Sequence, residues 1–506
     1  MPPKRPATFE EMNFLVVDCG TSVCRASVIS GNGDTLSLSR RQIRIDHPRP
    51  SFAEIDAGYL WNQVRKVIIS EVEKHPDITF DAIGVSTMLG YVLLDKTPAP
   101  LMPAIIYMDN RAVAEIAEMK QLFSEAELFA ITGRRSSPLL LAPKIKWLYK
   151  NRADVIKKLD HIIGLKDEIV RRLTGNIRTD FAHLDYSGCY NVHKGELESD
   201  IIDAVGIKKA LFPSPTPATE IAGTVSADVA KHFGLTCGTP VITGSSDGTT
   251  AMYGAGVLEK GRAVLVSGST DVLMMRCESA VQDPAHILSI NTGMLPGTFL
   301  VGGALGLSGG ALHYFEKMLQ TSADKLADNI ADLSPGSNGL LVFPGLTGER
   351  SPFWKEYLTG GIAGLSLHHK NEHILKALME GCSFRILRLL KAMSASHLKP
   401  KGLNIVGGGA NIDVWNHIRS DVTGMVIRKL FHTEATSLGT AMFCNAGIDS
   451  SRSLLEVTRD WIEVEKCYSP DPDATDRYKK IAAIFDRYMN DNENIYRRLN
   501  ELSMHL

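Results

Sequence analysis

The strongest structural signal in this chain is the segment NFLVVDCGTSVCRASVIS at residues 13–30. Asn13–Asp18 is rich in Leu and Val and Arg25–Ser30 is again strand-like, so the segment predicts two strands joined by a turn at Cys19–Cys24. The sequence Gly31-Asn32-Gly33-Asp34 predicts a tight turn before a third strand. Backbone N–H groups and hydroxyls converge in the first turn and suit a phosphate, although an ordinary polar hairpin is the simpler explanation of one such turn.

A second segment of the same kind lies at Ala263–Met275, in the other half of the chain. It reads AVLVSGSTDVLMM, which is a strand, a Gly/Ser/Thr turn and another strand. Two such units, one near the start of each half, predict an internal duplication. Turns that face each other would hold a polyphosphate from both sides. The Walker-type pattern GxxxxGK[ST] does not occur in the sequence, so we expect a different kind of phosphate site.

Strands alternate with helices over much of the chain. The apolar runs Ala82–Ser86 and Tyr91–Asp95 predict strands, and Pro103–Asp109 is strand-like. Helical patterns follow at 112–122, 124–132 and 143–150. This alternation predicts an α/β fold with partly parallel sheets. At roughly 100–200 residues per domain, 506 residues require two large domains or three smaller ones.

Asp247 follows the apolar run Pro240–Thr243 among small residues, at the start of a predicted helix. An Asp or Ser before a helix is usually an N-cap. The end of a core strand, flanked by small residues, is also a place where a substrate can approach a carboxylate. The two roles are compatible in one residue.

Three glycines, Gly407-Gly408-Gly409, end the strand Asn404–Val406, and the helical segment Asp413–Thr423 follows. Glycines let a ligand approach the backbone closely, and a helix start favours anions or polar rings. Ile412 stands where a dinucleotide fingerprint requires its last glycine, and the acidic residue expected at the end of a following strand is missing. The turn therefore does not support an oxidoreductase.

The composition excludes several classes of protein. With 44% hydrophobic and 22% charged residues, the chain is neither disordered nor collagen-like. Lys and Arg number 55 against 57 Asp and Glu, so no charge excess favours nucleic acid or an anionic membrane. No apolar run approaches the ~18–20 residues of a membrane span, and the first one is too short for a signal peptide. The eight scattered cysteines form no CxxC pair. We expect a cytoplasmic protein with reduced, mostly buried thiols.

Several motifs together resemble the FGGY family of carbohydrate kinases over residues 13–447. The most specific is GGIAGL at Gly360–Leu365, followed after seven residues by HILKALME at His373–Glu380. KIKWL at Lys144–Leu148 matches part of an earlier signature, and FPGLTGERSP at Phe343–Pro352 is typical of the xylulokinase-like branch. The resemblance implies two actin-like, ribonuclease H-like domains of the class of hexokinase, actin and the 70-kDa chaperones, with a catalytic cleft between them. We expect them at 13–255 and 256–506, hinged near residue 256, the second with a C-terminal helical tail.

The resemblance also implies ATP-dependent phosphorylation of a sugar hydroxyl, with ATP and Mg²⁺ as cofactors. Asp247 matches the general base of the family, and Asp18 matches the aspartate that holds Mg²⁺ through water. One phosphate-binding turn would comprise Thr21, Ser22 and Arg25, and the other Gly268 and Ser269. The remaining nucleotide positions, near the phosphates, ribose and adenine, would be Gly309, His313, Gly409, Ala410 and Asp413. The sugar pocket would be formed by Met88, Leu89, Asp109 and Asp247.

The chain departs from the family pattern at Leu89. Xylulokinases carry Met-His at this pair of positions and glycerol kinases carry Arg-Glu, whereas here the pair is Met88-Leu89. An aliphatic side chain cannot satisfy a substrate hydroxyl, and a buried unpaired hydroxyl costs ~1–3 kcal/mol. Either the substrate is apolar at this point, as in a deoxy-ketose, or a water or another side chain replaces the missing partner. We expect a pentulose such as D-xylulose or a related deoxy-ketose.

Other functions stay open at this stage. Another family substrate, such as glycerol, erythritol or gluconate, is the first alternative, and an actin-like or chaperone-like ATPase is the second. The expected partners are a sugar and ATP, without nucleic acid or membrane, and homodimer formation is left open. His368, His369 and His373 do not lie on one helical face, so they predict no metal site. We expect Lys144 and Arg350 to be surface charges and Asp473–Leu506 to be a solvated helical segment. We expect Trp147, Trp354 and Trp415 to be packing residues, one of which could border the cleft.

Overall fold

The computed structural model describes residues 9–279 and 281–504. The absence of a targeting segment, predicted partly from residues 1–8, concerns residues outside this range, as does the predicted helical character of His505 and Leu506. Within the described residues, no helix is both long enough and apolar enough to cross a membrane.

The first half of the chain is built on a mixed sheet that begins with the predicted strand–turn–strand unit. Side chains of a strand point alternately to the two faces of the sheet. Both faces are covered at the first strand, so Phe14 to Cys19 are all buried. The strands are β1 (Asn13–Cys19), β2 (Val23–Ser30), β3 (Thr35–Gln42), β4 (Glu54–Ile55), β5 (Ala82–Thr87), β6 (Gly90–Leu94), β7 (Ala104–Ile106), β8 (His161–Gly164), β9 (Thr179–Asp180), β10 (Tyr190–Asn191), β11 (Glu196–Leu197), β12 (Pro215–Thr216), β13 (Ile221–Thr224), β14 (Pro240–Ile242) and β15 (Ser245–Ser246).

Helices cover this sheet and form a lobe beside it. They are α1 (Ala57–Lys74), α2 (Val113–Leu122), α3 (Glu125–Thr132), α4 (Leu141–Asn151), α5 (Ala153–Ile156), α6 (Leu165–Thr174), α7 (Phe181–Asp185), α8 (Ser199–Val205), α9 (Ala227–Phe233) and α10 (Asp247–Gly254). The main sheet has the order β13-β14-β5-β1-β2-β3, with β15 beside β5, and a smaller sheet has the order β4-β7-β6-β8. The strand predicted at Pro103–Asp109 is confirmed only over Ala104–Ile106, because the chain turns at Tyr107 and Met108.

The second half repeats the plan with another mixed sheet, in the order β18-β19-β17-β16-β22-β23-β24. Its strands are β16 (Arg262–Ser267), β17 (Thr270–Cys277), β18 (Ser289–Thr292), β19 (Phe299–Leu307), β20 (Leu341–Phe343), β21 (Gly361–Ala363), β22 (Gly402–Val406), β23 (Ile427–Leu430) and β24 (Val464–Tyr468). Its helices are α11 (Gly309–Leu319), α12 (Ala327–Asp332), α13 (Asn371–Ala395), α14 (Asp413–Thr423), α15 (Ala435–Ile448), α16 (Leu454–Trp461), α17 (Pro472–Asp491) and α18 (Glu493–Met504).

The two main sheets share one strand pattern. In the first, β1 pairs antiparallel with β2 and parallel with β5, which pairs parallel with β14. In the second, β16 pairs antiparallel with β17 and parallel with β22, which pairs parallel with β23. A third antiparallel strand, β3 or β19, extends each hairpin. The repeated pattern confirms the duplication that the two polar turns predict, and it places both turns at corresponding strand ends.

Two helices at the centre of the molecule approach each other through glycines. Helix α10 precedes the second sheet in the chain, and α15, from the second half, packs against both α10 and the first sheet. A Cβ added at Gly254 would collide with the carbonyl oxygen of Ala435, and one at Gly439 with the carbonyl oxygen of Thr250. Glycine at these positions therefore permits the backbone-to-backbone contact that joins the two halves.

The tail is helical, as the sequence predicts, but it is not simply solvated. Tyr478, Ala482, Phe485 and Met489 form a buried stripe on α17. This stripe packs into the apolar core that α13 and α14 also enter. The 3.6-residue spacing of these apolar side chains explains the packing.

Candidate active site

The first polar turn follows β1 and consists of Gly20, Thr21 and Ser22. The N–H of Gly20 donates to the carbonyl of Val23 at 3.1 Å, which closes the hairpin. Thr21 is partly exposed and Ser22 is exposed at the sheet end. The thiols of Cys19 and Cys24 face each other at 3.1 Å under the turn, and both are buried. Six of the eight cysteines are buried and all are free, in line with the predicted reduced thiols.

The second polar turn packs directly on the start of α11. The N–H of Gly309 donates to the carbonyl of Gly268 at 3.1 Å, and the N–H of Gly310 donates to that of Ser269 at 3.0 Å. A Cβ at Gly309 would lie 2.5 Å from the Gly268 oxygen, so a side chain would push the helix away from the turn. The structure thus brings Gly268, Ser269 and Gly309 together. His313 lies one turn further along α11 and is exposed.

Gly409 and Ala410, two of the predicted nucleotide positions, are linked to the second turn by an arginine that the sequence analysis missed. Arg419 is fully buried, and it donates to the carbonyl of Gly409 at 2.9 Å and to the hydroxyl of Ser267 at 2.7 Å. Asn416 donates to the carbonyl of Ala410 at 2.7 Å. The glycine turn is therefore held in place against the strand that leads into the second polar turn.

Asp413, another of the predicted nucleotide positions, already has protein partners. Lys466 and the hydroxyl of Tyr468 each donate to one of its carboxylate oxygens at 2.5 Å. The hydrogen bond from Lys466, and to a smaller extent that from Tyr468, lowers the pKa of Asp413. A contact between Asp413 and a nucleotide stays a prediction.

Asp18 ends β1, and Arg25 lies directly opposite on β2. The guanidinium of Arg25 donates to one carboxylate oxygen of Asp18 at 3.0 Å and also lies 3.4 Å from Glu434. The other oxygen, Oδ1, is buried and has no hydrogen-bond partner within the described part of the chain. Burial, followed by the negative charge of Asp247, raises the pKa of Asp18 to about 7 in spite of Arg25. An unpartnered buried carboxylate oxygen fits a divalent cation, which would supply the missing positive charge.

Asp247 is the first residue of α10, and the N-cap position belongs to Ser246. Its own carboxylate accepts one hydrogen bond, from the N–H of Gly248 at 2.6 Å. Burial raises the pKa of Asp247, while the hydrogen bond from Gly248 opposes the shift. A Cβ at Gly248 would meet nothing within 4 Å, so open space lies beside the carboxylate.

A cavity of about 260 Å³ opens between the two halves at Asp247. Of the residues predicted for the sugar pocket, Leu89 and Asp247 line it. Met88 instead packs fully buried in the apolar core of the first sheet. Asp109 does not line the cavity and is also fully buried, because its carboxylate accepts hydrogen bonds from Arg111 and from the N–H of Ala53. A substrate contact with Asp109 would require these bonds to open.

The cavity wall includes residues to which the sequence analysis gave no role in binding. Tyr107, Arg134 and Arg350 line it, and Arg350 is therefore not the simple surface charge that we expected. Trp354 also lines it, so it is a tryptophan that borders the cleft. The indole N–H of Trp354 donates to the carbonyl of Ile287 at 2.8 Å. The local sequence held no signal for Tyr107 and Arg134, since each lies just beyond the end of a strand or helix.

Lys144 is buried rather than a surface charge. Its ammonium group donates to the carbonyls of Ile106 at 3.1 Å and Leu139 at 3.3 Å. Burial lowers its pKa to about 8. Lys144 thereby ties α4 to the two segments that carry Tyr107 and Leu139 into the cavity wall.

A buried ionic cluster supports the strand that precedes Asp247. Lys166 contacts Asp167 at 2.5 Å and Asp180 at 3.4 Å, and His183 contacts Asp180 at 2.6 Å. Ser245 donates to Asp180 at 2.6 Å, so the cluster is bonded to the residues just before the catalytic candidate. The two carboxylates and His183 could by spacing hold a metal, but Lys166 already supplies their positive charge.

Comparison with known proteins identifies the family of this chain and does not assign roles to single residues. Residues 13–254 match the N-terminal domain of the FGGY family of carbohydrate kinases, and residues 263–448 match its C-terminal domain. A xylulose kinase from Lactococcus lactis subsp. lactis (strain IL1403) is 26% identical over 496 residues, covering 97% of this chain and 99% of the relative. A gluconokinase from Bacillus subtilis (strain 168) is 24% identical over 503 residues, covering 96% of this chain and 97% of the relative.

The fold is also similar to solved structures. A ligand-bound xylulose kinase from Lactobacillus acidophilus aligns with a TM-score of 0.91 at 21% identity, covering 96% of this chain and 100% of that chain. This likeness confirms the predicted fold of two actin-like α/β domains. The relatives differ in the substrate that their names give, so they establish the class of reaction and leave the sugar open.

Proposed function

Since this chain belongs to the FGGY family of carbohydrate kinases, we propose that Asp247 is the general base that activates the acceptor hydroxyl for transfer of the γ-phosphoryl group of ATP. The observation that carries the proposal is the position of Asp247. Its carboxylate stands on the cavity wall at the start of α10, beside open space and close enough to Asp18 to raise the pKa of that residue.

The proposed step is a direct displacement. The hydroxyl oxygen of the sugar forms a bond to the γ-phosphorus, the bond from that phosphorus to the bridging oxygen breaks, and ADP leaves. Asp247 accepts the hydroxyl proton as the new bond forms, which typically contributes ~10²–10⁴ to the rate. Burial raises the pKa of Asp247 and strengthens it as a base, while the N–H of Gly248 favours its ionised form.

We propose that Asp18 holds Mg²⁺ through a water molecule, with Oδ1 as its acceptor. A bound Mg²⁺ would offset the negative charge that develops on the phosphoryl group during transfer. Ser269 would donate to the phosphates from one side, while Gly268, whose N–H donates to the carbonyl of Thr270, shapes the turn that presents it. Thr21 and Ser22 would donate from the other side. Arg25 would contribute from its position between Asp18 and Glu434.

The nucleotide would extend from the second turn along α11 and the glycine turn, past Gly309, His313, Gly409, Ala410 and Asp413. We propose that the halves 13–255 and 256–506 close on both ligands about a hinge near residue 256. Closure would exclude water and limit wasteful hydrolysis of ATP. Gly256 has φ of +79°, a conformation that favours glycine.

For the acceptor, the sequence expectation of a pentulose or deoxy-ketose is the starting point. It is supported by the similarity to a xylulose kinase and by Leu89, whose apolar side chain lines the cavity and favours a carbon without a hydroxyl. Because a gluconokinase is among the similar proteins, a sugar acid is the alternative acceptor.

The test is ADP release, measured with a coupled assay over ketoses, deoxy-ketoses, polyols and sugar acids, with a control that lacks sugar. We expect stimulation by one class of sugar, and a loss of about 10²- to 10⁴-fold in Asp247→Ala with ATP affinity, measured by calorimetry, little changed. Asp228→Ala is the matched control, because Asp228 is exposed in the first turn of α9. Turnover of Asp247→Ala near that of the wild type would remove Asp247 from this role, and ADP release that no sugar stimulates would favour the ATPase alternative.

A further inference from the structure

The wall of the active-site cavity carries more positive than negative charge. Arg134, Arg135 and Arg350 line it, whereas Asp247 is its acidic residue within the described part of the chain. A neutral sugar is recognised by hydroxyl, amide and carboxylate partners and does not require several guanidinium groups. The excess of cationic side chains favours a ligand with negative charge.

Arg134 is the most informative of these residues, because it is only 7% exposed. Its guanidinium stacks 3.5 Å from the centre of the Tyr186 ring and donates to the side-chain oxygen of Asn291. Its Nε is buried without a hydrogen-bond partner, and no carboxylate of the described residues lies within 4 Å of the group. A buried cation without a counter-ion is unfavourable, so a bound anion would complete its surroundings.

One buried acid, Asp185, acts on Arg134 from a greater distance. The N–H and hydroxyl of Thr292 donate to Asp185 at 2.7 and 2.8 Å. Asp185 is not part of the cavity wall, and Thr292 donates to both of its carboxylate oxygens. The cavity therefore keeps a net positive wall at this point.

Arg135 adds a second guanidinium beside the first. It is about one-third exposed, and its one acidic contact, Glu125, lies 3.8 Å away and is already engaged by the N–H of Ser136. Its guanidinium lies 5.9 Å from the centre of the Trp354 ring, across the cavity wall. Arg350 lines the same cavity from the second half of the chain.

We propose that the acceptor carries an anionic group, a carboxylate or a phosphate ester, that Arg134 and Arg135 bind while Asp247 faces the reacting hydroxyl. This inference rests on the proposed function, and it modifies the expectation of a neutral pentulose. Guanidinium groups pair with both kinds of anion through two parallel N–H···O bonds. The apolar Leu89 on the same wall fits a substrate that is held by its charge instead of by a hydroxyl at that point.

The experiment compares acceptors that differ only in charge. Five- and six-carbon aldonates and 2-keto-aldonates are assayed beside their neutral amides, with sugar phosphates as the phosphate-ester arm and D-xylulose as the neutral ketose. We expect kcat/KM for one acid to exceed that for its amide at least tenfold. Preference for the sugar phosphates would identify the phosphate ester as the source of the charge, and preference for the aldonates the carboxylate.

Variants locate the effect. Arg135→Gln should raise KM for the anionic acceptor about 10- to 100-fold, with a smaller loss for the amide, because one charge-assisted contact disappears. Arg134→Lys keeps the charge but not the planar stack, and it should lower the preference for the acid as well. Arg487→Gln, at an exposed position on α17, is the control, and thermal midpoints verify that each variant folds.

The outcomes separate this inference from the proposed function. A neutral sugar preferred over every anionic acceptor, or an Arg135→Gln effect on KM for ATP instead of the acceptor, would overturn the inference and leave the kinase proposal intact. If no acceptor stimulates ADP release, the proposed function fails and calorimetry with the same anions decides: binding that Arg135→Gln abolishes supports the anion site, and no binding refutes it.

Discussion

Asp18→Asn should stabilise the protein at alkaline pH while it removes magnesium-dependent activity. Asp18 is 3% exposed, and burial raises its pKa from 3.8 to about 7. At about 1.4 kcal/mol for each pH unit, keeping this carboxylate ionised in the folded protein costs about 4 kcal/mol. Asn has nearly the same shape and carries no charge, so the variant avoids this cost.

The sign of the pH dependence follows from the direction of the shift. The folded protein binds the proton of Asp18 more tightly than the unfolded chain does, so this group favours folding most below pH 3.8. Its contribution falls as the pH rises from about 4 to about 7, and it is fully lost above about 7. The two proteins should therefore be equally stable near pH 4, and the variant more stable by about 4 kcal/mol at pH 8.

The assay is urea unfolding of both proteins from pH 4 to pH 8.5 without nucleotide, followed by thermal midpoints with and without Mg-ATP. Wild-type protein should gain stability from Mg-ATP more strongly than the variant, and the variant should show no magnesium-dependent turnover. Asp228→Asn reports the effect of removing an exposed carboxylate. A stability difference between wild type and Asp18→Asn that is independent of pH, or a variant less stable at pH 8, would refute the argument that the ionised Asp18 carboxylate destabilises the folded protein without a bound cation.

Two further substitutions test the walls of the two ligand sites. Leu89→His restores a hydrogen-bonding side chain, and it should raise kcat/KM for D-xylulose roughly 2- to 10-fold, as expected for one neutral hydrogen bond; unchanged kinetics on every sugar would contradict the role given to Leu89. Gly309→Ala places a Cβ 2.5 Å from the carbonyl oxygen of Gly268, so α11 must move away from the phosphate turn. KM for ATP should rise several-fold while calorimetry shows unchanged sugar affinity, and an unaltered KM for ATP would place the phosphates elsewhere.

The elements of this fold follow closely from local sequence pattern. The predicted strand at Asn13–Asp18 corresponds to β1, and the predicted helix at Asp413–Thr423 coincides with α14. Apolar periodicity and turn residues act over a few neighbouring positions, so a single sequence reveals them. The two polar turns could likewise be predicted from local sequence, because their hydroxyl-rich composition does not depend on the residues that they face in the folded protein.

The environments of charged side chains did not follow from the sequence. Asp109 fits a sugar pocket by motif, yet Arg111, two residues further on, takes up its carboxylate. Lys144 and Arg350 read as surface charges, yet one is buried against carbonyl oxygens and the other lines the cavity. Charge and burial depend on partners from distant segments, which a local pattern does not contain.

The sequence by itself thus determined the α/β fold class and the kinase family, and it predicted two polar turns and a candidate catalytic aspartate. Strand propensity, turn chemistry and family motifs are properties of short segments, so they can be identified without the tertiary structure. Only the tertiary structure decided which charged side chains line the cavity. Arg134, Asn291 and Arg350 come from three separate parts of the chain, and only folding places them on the same wall as Asp247 and Leu89. Electrostatic interactions act through space over a few ångströms, so the charge that a substrate meets is set by the packing of these segments and not by their order in the sequence.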